Sequence, residues 1–307
     1  MEIKFSNNNM ALKIFTFLLL LISLTIISCS ANKIDSLTTD KDVFAFVQQF
    51  FPDFKGFDEY YNETIKISDS LKVRNWTKTD IDNNGETDLL VFRGNDLPNI
   101  LTLLSFNGTY KKISAKYHCK YQFIYPIVKT IDNKKLLLLY SQEQTGYDPN
   151  TKHFTYTKLA CETLTIKNNL FLNYIQSPRH YDIEKIEIKN DGICEGNCPR
   201  INISINLKTF ENICSKQMYW DSTPKNFTGQ LTQNEIKNIL SLLDYSNFSD
   251  FNSKYEIGCT DQTTTTLIIT YDNGKIKNIE DYGSSGNFTL AEIYDIVYNI
   301  KWIEKNE

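Results

Sequence analysis

The chain has 307 residues, of which 41% are hydrophobic, 13% aromatic and 23% charged. This composition is typical of a globular protein and excludes a chain that is disordered throughout. The net charge of −4 is spread along the sequence without long runs. No basic face is therefore predicted, and nucleic acid is not expected as a partner.

The N-terminal segment predicts export. Basic residues precede an apolar run over residues 14–27 that is interrupted only by Thr and Ser. A membrane-spanning helix needs roughly 20 apolar residues, so this shorter run fits the hydrophobic region of a secretion signal better than an uncleaved anchor helix. Because Ser28 and Cys29 follow it, the segment resembles the lipobox of bacterial lipoproteins. That resemblance implies removal of residues 1–28, acylation of Cys29 by chains such as palmitate, and anchorage in the cell envelope, with Ser30 favouring the outer membrane.

About 279 residues follow the signal, enough for two domains with separate cores. The polar segment 29–39 predicts a tether. Near residue 178 the sequence changes from short strand-like runs to strands and helices in separate runs. We therefore expect a β-rich domain over 40–178 and an α+β domain over 179–307.

The β-rich domain begins with one predicted helix over Asp40–Phe51, ended by Pro52. Short runs rich in β-branched and aromatic residues follow and predict strands. These runs are Leu89–Phe92, Ile100–Ser105, Gln122–Val128, Leu136–Tyr140, Phe154–Lys158 and Thr163–Ile166. Asn107-Gly108 and Asp132-Asn133 predict turns between them.

The second domain shows strands and helices in separate runs. Alternating residues predict strands at 183–188 and 201–207, and two more strands flank Asp272-Asn273-Gly274, which predicts a two-residue hairpin. Thr232 with Glu235, and Thr289 with Glu292, have the spacing of capping boxes that begin helices. This order predicts an α+β fold with two helices on an antiparallel sheet.

Residues 80–91 read DIDNNGETDLLV and predict a calcium loop. Such loops need oxygen ligands at alternate positions and a glycine midway that permits the sharp bend. Val91 stands where helix–loop–helix calcium proteins require Glu, which disfavours that class. The alternative is a solvated turn without metal. The candidate ligands are Asp80, Asp82, Asn84, Glu86 through its carbonyl, and Asp88.

The same segment resembles the Asp-x-Asp-x-Asn-Gly-x-x-Asp-Leu loop of FG-GAP and related β-rich repeats. The resemblance covers about 12 residues and implies a structural calcium ion held by Asp80, Asp82, Asn84 and Asp88. It implies no chemistry at the ion.

Six cysteines remain besides Cys29, and an even number in an exported chain predicts disulfides. They are Cys119, Cys161, Cys194, Cys198, Cys214 and Cys259. Pairing within domains would join Cys119 to Cys161 and leave three arrangements of the other four. By loop entropy, a Cys198–Cys259 disulfide would stabilise the fold by about 4 kcal/mol, more than the about 2 kcal/mol expected from Cys194–Cys198. A zinc site and a redox pair are the alternatives.

The segment Cys194-Glu195-Gly196-Asn197-Cys198-Pro199, followed by an alternating strand, resembles the start of an uncharacterised bacterial domain of unknown function. The resemblance extends over about 183–303. It implies no activity.

No catalytic motif stands out, and the three histidines, His118, His153 and His180, are scattered. We therefore expect a non-catalytic binding or structural module anchored in the envelope, with the membrane as one partner and an envelope protein or a glycan as another. The alternatives are a hydrolase with an unrecognised carboxylate site and an inhibitor or immunity protein.

Overall fold

A computed structural model describes most of the chain beyond the N-terminal segment. The described residues are 32–57, 70–93, 99–115, 123–142, 144–150, 153–156, 159–209, 211–257, 260–284 and 286–305. Cys29, Cys119, Cys259 and His118 lie outside them. The expected α+β class is confirmed, because a β-rich N-terminal part precedes a part that combines helices with an antiparallel sheet.

Three α-helices and eighteen strands lie within the described ranges. The helices are α1 (Asp40–Val47), α2 (Gln233–Ser246) and α3 (Phe288–Tyr298). The strands of the N-terminal part are β1 (Trp76–Thr79), β2 (Asp88–Arg93), β3 (Asn99–Phe106), β4 (Thr109–Ala115), β5 (Phe123–Ile131), β6 (Lys134–Gln142), β7 (Gln144–Asp148), β8 (His153–Tyr156), β9 (Ala160–Lys167) and β10 (Leu170–Asn173). Those of the C-terminal part are β11 (Ile183–Asn190), β12 (Arg200–Asn206), β13 (Asn212–Gln217), β14 (Lys225–Gly229), β15 (Lys254–Tyr255), β16 (Thr264–Tyr271), β17 (Lys275–Tyr282) and β18 (Trp302–Glu304). Among these elements, no helix is long and apolar enough to cross a membrane.

Two four-stranded antiparallel sheets, in the orders β1-β2-β3-β4 and β10-β9-β6-β5, share one core. Successive side chains of a strand point to opposite faces. On β2, Leu90 and Phe92 enter this shared core, whereas Leu89 and Val91 enter a second core on the other face of the sheet. The unbroken apolar run of β2 is therefore explained by burial on both faces.

The second core is completed by the N-terminal segment. Val43, Phe46 and Val47 of α1 pack in it, together with Ile34 and Leu37. The expected tether over 29–39 differs from this arrangement, because residues 33–36 form a 3₁₀ turn that buries Ile34 completely. Two isolated apolar residues in a polar stretch thus find partners on the sheet.

Both turns predicted in the N-terminal part are confirmed. Asn107-Gly108 joins β3 to β4, and Asp132-Asn133 joins β5 to β6. All four residues have positive φ, the backbone that a tight two-residue hairpin requires and that Asn, Asp and Gly adopt most readily.

The C-terminal part is an eight-stranded sheet in the order β15-β17-β16-β11-β12-β13-β14-β18, antiparallel except for the β15–β17 pair. Helices α2 and α3 share its core with inward-facing residues of the central strands. Because Tyr271 pairs with Lys275, the hairpin between β16 and β17 has three loop residues rather than the two expected. All three have positive φ.

The two predicted capping boxes have different outcomes. Thr232 caps α2, and its hydroxyl and the Glu235 carboxylate each accept a hydrogen bond from the other's backbone N–H, as expected. The box predicted at Thr289 is wrong, because Asn287 is the N-cap of α3 and accepts from the Leu290 N–H at 2.8 Å. Thr289 bonds instead to Asn173.

The N-terminal and C-terminal parts are in contact where β10 meets α3. The Asn173 N–H donates to the Thr289 hydroxyl at 3.2 Å, and the Thr289 N–H donates to the Asn173 side-chain oxygen at 3.3 Å. Phe288 packs in the N-terminal core, whereas Leu172 packs in the C-terminal one. Each part therefore contributes a buried side chain to the other.

Candidate metal centre

The candidate calcium loop lies between β1 and β2, which pair from Thr79 opposite Asp88. The chain makes a succession of bends over residues 81–86. Ile81 is fully buried in the core between the two four-stranded sheets and fixes the start of the loop. The polar side chains on either side of Ile81 consequently stay close to one another.

Three carboxylates converge in this loop. One oxygen from each of Asp80, Asp82 and Asp88 lies within 4.8 Å of one oxygen from each of the other two. Carboxylate oxygens are hard ligands, which suit calcium or magnesium rather than zinc or copper. Three of the five candidate ligands expected from the sequence are thus brought together.

Asp88 is the buried member of the cluster, with no exposed surface. Its Oδ2 accepts from the Ile81 N–H at 2.8 Å and its Oδ1 from the Ser105 N–H at 2.8 Å. Burial raises the pKa of this carboxyl to about 7, and the Asp82 charge adds to the effect. A cation in the loop would offset the cost of ionising Asp88.

Asp80 and Asp82 bind the backbone of the bend. The two Asp80 oxygens accept from the Asn84 and Gly85 N–H groups, each at 2.9 Å, and an Asp82 oxygen accepts from the Asn84 N–H at 3.1 Å. Burial raises the pKa of Asp82, and the Asp80 charge raises it further. Gly85 has φ +92°, a conformation that a residue with a Cβ adopts only under strain.

The remaining two candidates are placed differently. The Asn84 side-chain oxygen accepts from the Glu86 N–H at 2.7 Å, and its amide donates to the Ser105 carbonyl at 2.9 Å. The Glu86 carboxylate accepts from the Ser105 hydroxyl at 2.7 Å and from the Asn107 N–H at 2.8 Å, which lower its pKa. The Glu86 side chain is therefore engaged by β3 and its turn, so only its carbonyl remains a candidate ligand.

The loop also docks on the β5–β6 turn, a support that the sequence did not reveal. The Asn83 side-chain oxygen accepts from the Lys135 N–H at 2.9 Å, and its amide donates to the Lys135 carbonyl at 3.5 Å. Asn83 has φ +61°. The DxDxNG spacing marks the loop itself, whereas its partners Ser105, Asn107 and Lys135 come from other strands and turns.

The cysteines form one disulfide among the described residues, between Cys194 and Cys198, whose Cα atoms are 5.9 Å apart. The longer Cys198–Cys259 link is therefore wrong, because the bend at Gly196 brings the nearer partner within disulfide reach. Oxidised sulfurs supply no thiolates, which also removes the four-cysteine zinc site. Cys161 is a free thiol, and Cys119, its conditional partner, lies outside the described residues. Cys214 is free and buried, and burial raises its pKa.

A groove of about 620 Å³ lies where β9, the segment after β10 and α2 meet. Asp244 is the one acidic residue among its described lining residues, and its carboxylate lies 2.9 Å from His180 Nδ1. Asp250, nearby in sequence, forms an ion pair with Arg179. Asp244 is therefore the one carboxylate that the described lining residues present to this groove.

The comparisons with known proteins concern the C-terminal part. No curated protein matches the chain. Residues 184–301, from the start of β11 to just past α3, match the family model described as a domain of unknown function, DUF6438. The expected resemblance to an uncharacterised domain family is thereby confirmed, and the C-terminal part of the chain contains a DUF6438 domain.

Proposed function

We propose that the chain is a lipid-anchored protein of the cell envelope that acts as a non-catalytic binding or structural module. Its β-rich part would be held by one structural calcium ion in the 80–88 loop. Cys29 would carry the lipid that attaches the protein to the membrane, with the outer membrane as the expected location.

The convergence of Asp80, Asp82 and Asp88 carries the calcium proposal. Three carboxylates within 4.8 Å of one another repel when all are ionised, and one of them has no exposed surface. A divalent cation would convert that repulsion into attraction. Asp88 begins β2 and Asp80 follows β1, so the ion would tie the ends of two neighbouring strands together.

The groove beside α2 presents one carboxylate among its described lining residues. A hydrolytic carboxylate pair needs two acids that face one reacting bond. In the groove beside α2, Asp244 is engaged by His180 and by the Tyr181 N–H. The calcium loop is likewise built from backbone bonds that fix its shape. These bonds, which hold the carboxylates in place, suit a rigid module.

A thermal melt of the full-length protein in detergent, with calcium and with chelator, tests the calcium site. Saturation at 100 times the Kd would raise the free energy of unfolding by roughly 2.7 kcal/mol. The isosteric variant Asp82→Asn removes one charge from the cluster, and we expect it to abolish most of the calcium-dependent shift. The matched control Asp132→Asn lies in the turn between β5 and β6 and should keep the full shift. Equal melts in calcium and chelator for the unsubstituted protein would refute the site.

The anchor is tested separately by labelling cells with an alkyne analogue of palmitate. The unsubstituted protein should incorporate the label and sediment with membranes. Cys29→Ser should abolish labelling and release the protein from the membrane fraction. Labelling that persists in Cys29→Ser would contradict the proposed lipidation site.

A further inference from the structure

The tip of the C-terminal sheet bears an exposed aromatic pair. Tyr219 and Trp220 lie in the turn after β13, with 78% and 55% of their surfaces exposed. Their rings meet edge to face, with centroids 4.7 Å apart and planes at 78°. Large exposed aromatic residues are typical of binding surfaces, since they offer contact area at low conformational cost.

A pocket of about 330 Å³ is lined by Tyr219 of this pair, and its volume is at the lower end of the range of small-ligand sites. Tyr219 and Met218 line one side, and Ile193 and Cys198 of the β11–β12 connection line the other. The Cys194–Cys198 disulfide closes that connection. The pocket therefore lies between a cross-linked loop and a hydrogen-bonded turn, in which the Asp221 N–H donates to the Met218 carbonyl at 3.0 Å.

Two polar side chains, Arg200 and Gln217, also line the pocket. Arg200 and Gln217 face each other as a directly paired couple on β12 and β13. The Arg200 Nε donates to the Asp191 carbonyl at 3.5 Å, and its terminal Nη groups have no hydrogen-bond partner among the described residues. Gln217 donates to the Asp221 carbonyl at 3.2 Å, which leaves its own side-chain oxygen as an acceptor.

Gly192 also lines the pocket. It has φ +73°, and a Cβ there would come within 2.6 Å of the Arg200 backbone nitrogen. The chain can pass this close to the start of β12 only without a side chain. The position of Arg200 at the pocket thus depends on a glycine that no bulkier residue could replace without displacing the backbone.

We propose that this pocket binds a neutral oligosaccharide. Sugar rings have apolar C–H faces that pack on aromatic rings and hydroxyl edges that need both donors and acceptors. Tyr219, with Trp220 packed against its ring, supplies the first contact, and Arg200 and Gln217 supply the second. This site differs from the calcium loop, so either proposal can fail while the other stands.

The charges and shape of the pocket favour this class of ligand over others. Asp191 and Arg200 give the lining one charge of each sign, which favours neither an anion nor a cation. A peptide anchored by one apolar side chain needs a deep, desolvated pocket. Tyr219, at 78% exposed, projects from the surface instead.

Calorimetric titration of the full-length protein tests the proposal, in a detergent without a sugar headgroup because such a headgroup would compete. The probes are the tetrasaccharides of β-1,4-glucose, β-1,4-N-acetylglucosamine, α-1,4-glucose and mannose. We expect at least one of them to bind with a Kd of about 1 mM or tighter. A proline-rich decapeptide is titrated in parallel, since such peptides also stack on aromatic grooves.

Two variants locate the binding. Tyr219→Ala and Arg200→Gln should each weaken binding of the tetrasaccharide at least ~10-fold, because both residues line the pocket. Phe106→Ala is the matched control, because Phe106 is an aromatic residue 61% exposed on the N-terminal part, and it should leave the Kd unchanged. Thermal melts of all three should match the unsubstituted protein, since the aromatic positions are exposed.

Three outcomes would overturn the proposal. In one, none of the four tetrasaccharides binds at concentrations up to ~10 mM. In another, a tetrasaccharide binds equally well to both pocket variants. In the third, only the peptide binds and Tyr219→Ala abolishes its binding, which would make the pocket a peptide site.

Discussion

Two turns of the N-terminal part begin alike in sequence and end as different structures. In the loop between β1 and β2, eight residues separate the paired Thr79 and Asp88. Between β5 and β6, only Asp132 and Asn133 separate the paired Ile131 and Lys134. Both lead directly into an apolar strand that is buried on both faces. Only the first gathers carboxylates, and the second has Lys134 and Lys135 where acids would be needed.

The extra residues of the longer loop satisfy its backbone and gather the carboxylates. Asp132-Asn133 closes its hairpin by backbone conformation alone, with φ of 48° and 60°. The longer loop must instead satisfy several backbone N–H groups, and Asp80, Asp82 and Asp88 accept from them. The same acids that shape the loop form the candidate metal site. The shorter turn then serves as a platform, since Lys135 binds Asn83 of the longer one.

The largest effect that separates the two turns is expected from Asp88→Asn. One Asp88 oxygen accepts from the Ile81 N–H and the other from the Ser105 N–H. The Asn side chain has only one oxygen, so its NH₂ group would face one of these two N–H groups. Leaving buried donors without acceptors should lower the free energy of unfolding by about 2–4 kcal/mol. Urea denaturation measures this loss, and Asp132→Asn, in an exposed turn, should change it by less than about 0.5 kcal/mol. Equal effects of the two variants would remove the distinction between the turns.

Gly85→Ala is expected to have the next largest effect. A Cβ on Gly85 would meet no atom within 4 Å, so the cost comes from the backbone at φ +92° alone. We expect a loss of about 1–2 kcal/mol, together with a smaller calcium-dependent shift in the melt, because the bend positions the Asp80 carboxylate. Asn133→Ala is the matched control at φ +60°. It should lower stability while leaving the calcium shift intact, and a shift reduced equally by both variants would argue against a site in the longer loop.

Local signals predicted much of the fold because they act within a few residues. The Asp132-Asn133 turn, the Thr232–Glu235 capping box and the DxDxNG loop are each complete within their own segment, and each forms as expected or gathers the expected residues. The Thr289–Glu292 box has the same local spacing and fails. Its threonine is engaged by Asn173, 116 residues away in sequence, and Asn287 is available as an alternative cap.

The features that the sequence did not reveal depend on partners far along the chain. Ile34 and Leu37 looked like part of a polar tether, yet the outer face of the β1–β4 sheet buries them. Loop entropy ranked the Cys198–Cys259 link first, but local geometry decides which sulfurs meet. The pocket beside Tyr219 needed the pairing of β12 with β13, which places Arg200 opposite Gln217. Periodicity alone contains no such information.

Asn83→Gly tests the contact between the two turns with a smaller effect. Glycine tolerates φ +61° without strain but removes the side chain that binds the Lys135 N–H and carbonyl. We expect a loss of about 1 kcal/mol and faster hydrogen exchange at the Lys135 amide. The Asn107 amide, which donates to Glu86, should keep its exchange rate. Unchanged protection at Lys135 would mean that the two turns are independent.

Asn133→Gly is expected to have the smallest effect on the free energy of unfolding. Asp-Gly is a favoured pair for a two-residue hairpin, and glycine adopts φ +60° at no steric cost. Glycine adopts the turn conformation more easily, but it also has greater freedom in the unfolded chain, and these two effects oppose each other. We therefore expect a change in the free energy of unfolding of less than about 0.5 kcal/mol. The calcium-dependent shift should also stay the same, since Asn133 lies in the β5–β6 turn and not in the loop that holds the carboxylate cluster. A loss above about 1 kcal/mol in urea denaturation would mean that the Asn133 side chain, and not only its backbone, supports the neighbouring loop.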